Sequence, residues 1–268
     1  MNYGIDFKGG LLLEVQAEKP VDMRELREKL SRFGTDLQPV GNDGTEVVIK
    51  ALGGGESEQE QMKTVREIRA ELGDSFMVRR TEMVGPRVGA ELIHNSILAV
   101  TIASVAIALY IWLRFEWQFA FGVLLSLVHD VLITVGLFSL FDLPFDMTVV
   151  AGIMMLAGYS TNDTIVCYDR IRENLYKFRK MPIPEMINKT TNDMLPRTIL
   201  TSVTTFLALG TMLFIGGEAL QGFAIVMVWG TVVGTYSTIY VAMPLLMYLN
   251  VRKTLESKSA AVSPYENA

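Results

Sequence analysis

Cysteine and surplus positive charge are both scarce in this chain. Cys167 is the only cysteine, which excludes an internal disulfide and leaves this side chain as a small packing residue. The formal net charge is -5, which argues against nucleic acid as a partner. Residues 1–92 contain no cofactor-binding motif and no metal-ligand spacing, and Gly53–Gly55 lacks the flanking elements and lysine of a phosphate-binding loop. We therefore expect no cofactor and no bound metal.

Long hydrophobic runs, by contrast, are abundant. Hydrophobic residues make up 50% of the chain and charged residues 20%, and the charge is concentrated in residues 1–92 and in one loop after Asp169. The remainder holds five apolar runs of about the twenty residues that a bilayer core requires. These runs are 93–113, 119–140, 147–168, 195–215 and 222–249. The sequence therefore predicts a membrane α-helical bundle with five spans in residues 93–249, followed by a disordered cytoplasmic tail over residues 250–268.

Lysine and arginine are absent from two of the predicted loops. Phe141–Asp146 and Gly216–Gln221 carry acidic but no basic residues, whereas the other loops and the C-terminal segment are basic. Because basic loops stay in the cytoplasm, we expect a cytoplasmic C-terminus and an extracytoplasmic domain over residues 1–92. Nothing ahead of that domain resembles a signal peptide or a membrane anchor. This predicts that an N-terminal span is missing and that the whole protein has six spans.

Residues 1–92 alternate between strand and helix patterns. The predicted elements are a strand at Leu11–Gln16, a helix at Val21–Phe33, strands at Asp36–Val40 and Glu46–Leu52 around a Gly41–Gly44 turn, a helix at Gln59–Leu72 and a strand at Phe76–Val84. The order β-α-β-β-α-β is that of an α+β ferredoxin-like domain. That fold hosts many functions and does not identify one.

Three of the predicted spans contain costly polar side chains. His129 and Asp130 lie in the second span, Asn162 and Asp163 in the third, and Arg197 near the start of the fourth. An ionisable group in hydrocarbon costs several kcal/mol unless it is paired, hydrated or neutralised. Asp163 is therefore the leading candidate for a residue that moves a proton, an ion or a substrate.

Asp163 and Arg197 are expected at similar depth on neighbouring helices, since a helix rises about 1.5 Å per residue. Pairing would stabilise ionised Asp163, and protonation would weaken the pair and release Arg197, which is the logic of a proton-coupled switch. Two alternatives stay open. Arg197 can instead snorkel to the interface, and Asn162 and threonines such as Thr164 and Thr201 can form hydrogen bonds between helices.

Two further patterns in the spans have structural as well as functional interpretations. His129 and Asp130 are consecutive and do not share a helix face, so at most one of them points into a pathway. Gly230 and Gly234 have the small-xxx-small spacing that is typical of close helix packing.

The segment Asp169–Lys180 interleaves basic and apolar residues after the third span. This pattern is typical of a helix that lies along an anionic membrane surface, so we expect contact with membrane lipid. Pro182 and Pro184 are expected to end this helix. A second short helix then leads back to Pro196.

Seven short motifs follow one another along nearly the whole chain. They are Gly4–Gly10, Val84–Pro86, His129–Asp130, Tyr159–Thr164, Asp169–Asn174, Arg197–Thr198 and Thr201–Ser202. In this combination and order they resemble the SecF family of bacterial SecD–SecF protein-export complexes. The resemblance implies the resistance-nodulation-division superfamily, a six-span half that pairs with SecD, and a location in the bacterial cytoplasmic (inner) membrane. It also implies use of the proton-motive force to draw preproteins out of the SecYEG channel.

The resemblance assigns roles by position. Asp163 matches the proton-pathway aspartate of the family and Arg197 its membrane arginine, while Asp130 belongs to a further family motif. The predicted proton pathway is therefore Asp163, Arg197, Asp130 and Asn162, with His129, Thr164 and Thr201 as accessory residues. The implied protein is a translocon subunit and not an enzyme.

Two other functions fit polar groups inside membrane helices. A proton-coupled exporter of small molecules from the same superfamily would need a midplane pocket and typically larger outer domains, which counts against it. A passive scaffold of the translocon predicts tolerance of charge-neutralising changes at Asp163 and no dependence of export on the proton gradient.

Overall fold

The structure is a computed structural model that describes residues 2–40, 43–52, 58–73, 75–249 and 251–252. Three sequence predictions lie outside these ranges in part or in full. They concern Gly41 and Asn42 of the predicted turn, the Gly53–Gly55 segment, and residues 250 and 253–268 of the predicted tail.

The described elements begin with short strands and helices and continue with long helices. In chain order they are β1 (Asn2–Tyr3), α1 (Ile5–Lys8), β2 (Gly10–Ala17), α2 (Met23–Leu30), a 3-10 turn (Ser31–Phe33), β3 (Thr35–Val40), β4 (Glu46–Leu52), α3 (Glu58–Leu72), β5 (Phe76–Val84), α4 (Pro86–Arg114), α5 (Trp117–Leu140), β6 (Pro144–Phe145), α6 (Met147–Lys177), α7 (Ile183–Ile215), α8 (Glu218–Ser237), a π-helical segment (Thr238–Ala242) and α9 (Met243–Tyr248). Two compact units result, one of residues 1–98 and 142–147, the other of residues 99–141 and 148–268.

Strands β2 to β5 form one antiparallel sheet in the order β3-β4-β2-β5. Leu11, Leu13 and Val15 alternate along β2 and are fully buried, as expected for a strand with one covered face. They share a core with Leu30 of α2 and Ile68 of α3. The two helices therefore cover the face of the sheet that carries this buried row.

A second sheet joins the start of the chain to a distant loop. Strand β1 pairs in parallel with β6, through Asn2 with Pro144 and Tyr3 with Phe145. The loop between α5 and α6 thus belongs to the same compact unit as the four-stranded sheet.

Four of the described helices are long and apolar enough to cross a membrane. Their spans are Val88–Arg114, Trp117–Leu140, Ile183–Ile215 and Leu220–Tyr248. The predicted third span, residues 147–168, is helical throughout as part of α6. It is not one of these four, because the polar side chains of Ser160, Asn162 and Asp163 lower its hydropathy. The count of five spans stays a prediction.

Two helices differ from the sequence prediction around the basic loop. Ile171 and Leu175, whose pattern suggested a helix on the membrane surface, are buried in the helical core at the end of α6. The prediction of a separate short helix before Pro196 is wrong, because α7 runs unbroken through this proline. Buried Met186 and Ile187 in the first turns of α7 give packing that offsets the roughly 3 kcal/mol cost of an interior proline.

Two residues at the start of the predicted tail, Val251 and Arg252, are described, and both contact the rest of the chain. Val251 is buried, and Arg252 donates from Nη2 to the carbonyl oxygens of Phe178 at 3.3 Å and Met181 at 2.7 Å. These bonds tie the C-terminal end of the described chain to the loop between α6 and α7.

Candidate functional site

The polar side chains of α6 lie on different faces of the helix. Ser160 and Thr164 are buried, Asp163 is half-buried and Asn162 is exposed. Because residues four apart share a helix face, Ser160 contacts α8 and Thr164 contacts Thr238, directly after α8, whereas Asp163 contacts α7. The motif that reads as one cluster in the sequence therefore contributes to two separate sites.

The first site surrounds Asp130 of α5, which has no exposed surface. Its Oδ2 accepts hydrogen bonds from Ser160 Oγ at 2.6 Å and Ser237 Oγ at 2.9 Å. Ser126 Oγ in turn donates to Ser237 Oγ at 3.1 Å. One carboxylate therefore joins α5, α6 and α8, and a buried polar group with this many partners stabilises the helix contact. We call Asp130, Ser126, Ser160 and Ser237 the serine cage.

His129 approaches the cage in spite of its position next to Asp130. Its Nδ1 lies 3.0 Å from Asp130 Oδ1, and its ring stacks on Tyr236 with centroids 6.2 Å apart. The expectation that consecutive residues point apart holds for their exposure, since Asp130 is buried and His129 is partly exposed. It does not hold for their contact, because the His129 imidazole lies within hydrogen-bond distance of the Asp130 carboxylate.

Helix α6 keeps a constant register with α8 and with the π-helical segment after it, at five positions spaced four residues apart. A Cβ on Gly230 would overlap Leu156, one on Gly234 would lie 3.1 Å from Ser160 Cβ, and one on Gly152 would lie 2.9 Å from Val226 Cβ. Further along the same helix faces, Thr164 Oγ1 lies 2.8 Å from Thr238 Oγ1, and Tyr168 donates its hydroxyl to the Ala242 carbonyl at 2.9 Å. The two glycines of α8 therefore bring the helices close together, as their spacing predicted.

A short π-helical segment ends this contact. Met243 N bonds to Thr238 O, five residues back, and Pro244 follows directly. A proline has no N–H and its ring clashes with the carbonyl four residues before it, so the wider turn accommodates Pro244. Segments of this kind are frequent at functional sites, and this one supplies Thr238 to the contact with α6.

The second site surrounds Asp163, at the contact between α6 and α7. Asp163 Oδ1 accepts a hydrogen bond from Thr198 Oγ1 at 3.1 Å. Its Oδ2 is buried and has no hydrogen-bond partner among the described residues. Cys167 Sγ lies 4.0 Å from the same threonine hydroxyl. This carboxylate therefore has one satisfied and one unsatisfied oxygen, whereas every carboxylate oxygen of Asp130 has a partner.

The predicted ion pair between Asp163 and Arg197 is not formed. Among the described residues, no nitrogen of Arg197 lies within 4.0 Å of the Asp163 carboxylate, and Arg197 is exposed. The neighbouring residue, Thr198, is buried and makes the contact instead. Arg197 nevertheless lies near this contact, because it directly precedes Thr198 on α7.

The other predicted residues lie outside both sites, and one of them links two helical segments. Asn162 is exposed on α6. Thr201 is exposed and donates only to the carbonyl oxygens of Arg197 and Thr198 on its own helix, so it does not link helices in this structure. Thr164 does link helices, through Thr238.

Sequence reasoning missed Ser237, which no pattern singled out. Its position three residues after Gly234 is the only available signal, since residues three and four apart share a helix face. It also did not indicate that Ser160 and Thr198 each contact one of the two aspartates.

Two family profiles match the chain. Residues 64–252 match the family described as "Protein export membrane protein SecD/SecF, C-terminal". Residues 1–21 match the "SecD/SecF GG Motif".

Several characterised proteins are similar to the chain over most of its length. Protein translocase subunit SecF of Rickettsia rickettsii is 41% identical over 254 residues, which cover 93% of this chain and 82% of that protein. Protein translocase subunit SecF of Cereibacter sphaeroides is 41% identical over 264 residues, covering 94% of this chain and 81% of that protein.

Solved structures of SecDF resemble the fold. SecDF of Thermus thermophilus, a translocon-associated membrane protein, is similar with a TM-score of 0.79 and 36% identity, over 92% of this chain and 34% of that one. SecDF in a super-membrane-facing form has a TM-score of 0.67 and 35% identity, over 97% of this chain and 36% of that one. The chain thus spans about a third of each SecDF chain. The chain belongs to the SecD/SecF family of protein-export membrane proteins, as a SecF member.

Proposed function

We propose that this chain couples proton movement to protein export, and that Asp163 is the group that gains and loses the proton. Family membership supports a role in protein translocation. The observation that carries the finer proposal is the Asp163 carboxylate, which is half-buried at the contact of α6 and α7 with Oδ2 unsatisfied. An unsatisfied oxygen of this kind is a place where a proton can bind without breaking an existing hydrogen bond.

The ionised and protonated forms of Asp163 favour different contacts with α7. The ionised carboxylate accepts from Thr198 and attracts the guanidinium of Arg197, one residue away. The protonated group is itself a donor and no longer attracts Arg197. A proton therefore changes the preferred arrangement of α6 against α7, which is the kind of discrete two-state element that a motor requires.

The membrane potential supplies enough energy for such a change. Moving one charge across it contributes about 2.3 kcal/mol per 100 mV. A bias of this size shifts a two-state equilibrium by more than tenfold, since each 1.4 kcal/mol or so corresponds to a factor of ten.

The proposal includes the arrangement in the membrane. Residues 147–168 of α6 form a fifth span, the ferredoxin-like domain of residues 1–92 is extracytoplasmic, and the C-terminus is cytoplasmic. A SecD subunit is the proposed partner, because the similar solved structures are of SecDF and this chain spans about a third of each. The SecYEG channel, the moving preprotein and membrane lipid complete the proposed contacts.

The test is export of a preprotein into membrane vesicles that hold the full complex, with and without a proton gradient. Asp163→Asn should remove the stimulation by the gradient, because the amide cannot exchange a proton at this position. Asn162→Ala is the matched control, since this neighbour is exposed and lies outside both sites.

Two results would contradict the proposal. One is an Asp163→Asn complex, present at normal membrane levels, that is stimulated as strongly as the wild type. The other is an absence of gradient stimulation in the wild type, which would favour a passive scaffold.

A further inference from the structure

The first residues of the chain form a compact clip against the loop that precedes α6. We define the N-terminal clip as residues 2–9. Its strand β1 pairs with β6, and Gly4 N donates to the Phe145 carbonyl at 2.8 Å. A Cβ on Gly4 would lie 3.2 Å from Asp146 Cβ, so the close approach leaves little room for a side chain. These contacts fix the clip to the loop by its backbone.

Asp6 makes the contact that extends the clip to α6. Its Oδ2 accepts a hydrogen bond from the backbone amide of Met147, the first residue of that helix, at 2.9 Å. The first amides of a helix have no partner within it. A carboxylate placed there satisfies a free donor and interacts favourably with the helix dipole. Asp6 thus caps the start of α6, although it lies about 140 positions before Met147 in the chain.

The clip also holds the sheet and the start of α4. A Cβ on Gly89 would lie 2.6 Å from the Phe7 carbonyl, and helix α1 of the clip also contacts strand β4. The rings of Tyr3, Phe7 and Phe145 form a cluster with centroids 5.9 to 6.3 Å apart. Residues 2–9 therefore contact strand β4, the beginning of α4 and the beginning of α6 within one compact unit.

We propose that Asp6 is a positioning residue that, through the clip, makes the sheet domain and the start of α6 move as one body. The inference rests on the proposed function, because α6 also carries Asp163. The helix is unbroken from Met147 to Lys177, and the sixteen steps from Met147 to Asp163 correspond to about 24 Å at 1.5 Å per residue. A shift of the helix caused by protonation at Asp163 therefore reaches the sheet through the clip.

The test compares two substitutions at Asp6 in the full complex. Asp6→Ala removes the cap and should reduce the gradient-stimulated part of export about tenfold, in line with the loss of a good N-cap. Asp6→Asn keeps an acceptor oxygen at the same distance from the backbone, and asparagine caps helices as well as aspartate does, so it should retain most of the stimulation. Both are normalised to the amount of complex in the membrane.

A covalent replacement for the cap distinguishes coupling from simple stability. Tyr3 and Phe145 are directly paired residues of β1 and β6, so the double variant Tyr3→Cys/Phe145→Cys should form a disulfide. In an Asp6→Ala background, oxidation should restore gradient stimulation and a reductant should remove it again. Tyr3→Cys alone is the control that cannot cross-link to the loop.

Specific results would overturn the inference. They are full stimulation in Asp6→Ala, an equal loss in Asp6→Asn and Asp6→Ala, no disulfide under oxidation, or a disulfide that forms without restoring stimulation. The same vesicles with Asp163→Asn separate the two proposals. If Asp163→Asn loses stimulation and Asp6→Ala keeps it, the clip inference fails and the proposed function stands. If Asp163→Asn keeps it, the proposed function itself fails.

Discussion

Two aspartates in the helical unit have opposite surroundings. Asp130 is fully buried, and both of its oxygens have partners, Ser160 and Ser237 on one and His129 on the other. Asp163 is half-buried and its second oxygen has no partner in the described part of the chain. A satisfied polar group fixes a packing arrangement, whereas an incompletely satisfied one is poised to change partners. The difference suggests that Asp130 holds helices together and that Asp163 responds to protons.

The largest effect on stability should come from breaking the serine cage. Asp130→Ala leaves the hydroxyl of Ser160 without its acceptor and that of Ser237 with only the Gly234 carbonyl, and we expect a loss of about 1–3 kcal/mol in unfolding free energy. Asp163→Ala should change it by less than about 0.6 kcal/mol, because only one interhelical bond is lost. Thermal unfolding of the detergent-solubilised complex measures both.

Asp130→Asn is the matched control for this comparison. Its amide oxygen still accepts from the two serines, so its unfolding temperature should stay close to that of the wild type. Equal destabilisation by Asp130→Ala and Asp163→Ala would contradict the distinction between the two aspartates.

The next effect on stability depends on how closely α6 packs against α8. Gly230→Ala places a methyl group against Leu156, and overpacking of this kind costs about 1–3 kcal/mol. Gly210→Ala on α7 meets nothing within 4 Å and should be neutral in thermal unfolding. Leu156→Ala should relieve part of the strain in the Gly230→Ala background. A neutral Gly230→Ala would show that α6 and α8 are not closely packed.

A smaller effect, on export, should come from changes at Thr198 of α7. Thr198→Val removes the donor to Asp163 Oδ1 and should lower gradient-stimulated export about two- to tenfold, the equivalent of one hydrogen bond. Thr198→Ser keeps the hydroxyl and should retain activity. Export rates in vesicles provide the measurement.

The smallest effect is expected at Thr201. Thr201→Val removes only bonds to carbonyl groups of its own helix, so export should stay within about twofold of wild type, as for most exposed substitutions. A large loss at Thr201 and none at Thr198 would reverse the assignment of the contact between α6 and α7.

The sequence predicted those features that follow a local pattern. The short apolar run at Leu11–Gln16 identified a strand, and the spacing of Gly230 and Gly234 identified a close helix contact. It did not predict the pairing of β1 with β6, because two-residue strands have no period and their partners lie about 140 residues apart. It placed a helix boundary at Pro196 because local proline preference favours one, but the packing of α7 on both sides of this residue prevails.

The candidate sites were predicted as residues but not as contacts. Asp130, Asp163 and Arg197 stand out because charge is costly in an apolar helix. The residues that contact them do not stand out. Ser237, for example, is one of many small polar residues, and only the fold brings it to Asp130. Arg197 and Thr198 are consecutive, and which of them faces Asp163 depends on the rotation of α7, which the sequence does not specify.

Infrared difference spectroscopy of the complex between neutral and acidic pH tests the central claim most directly, because it detects the carbonyl band of a carboxyl group that takes up a proton. Asp130 is the relevant competitor, since Ser237 Oγ also lies 3.1 Å from the Gly234 carbonyl and can turn to it if Asp130 becomes protonated. The account predicts a protonation band that disappears in Asp163→Asn and persists in Asp130→Asn. A band that persists in Asp163→Asn and disappears in Asp130→Asn would contradict it.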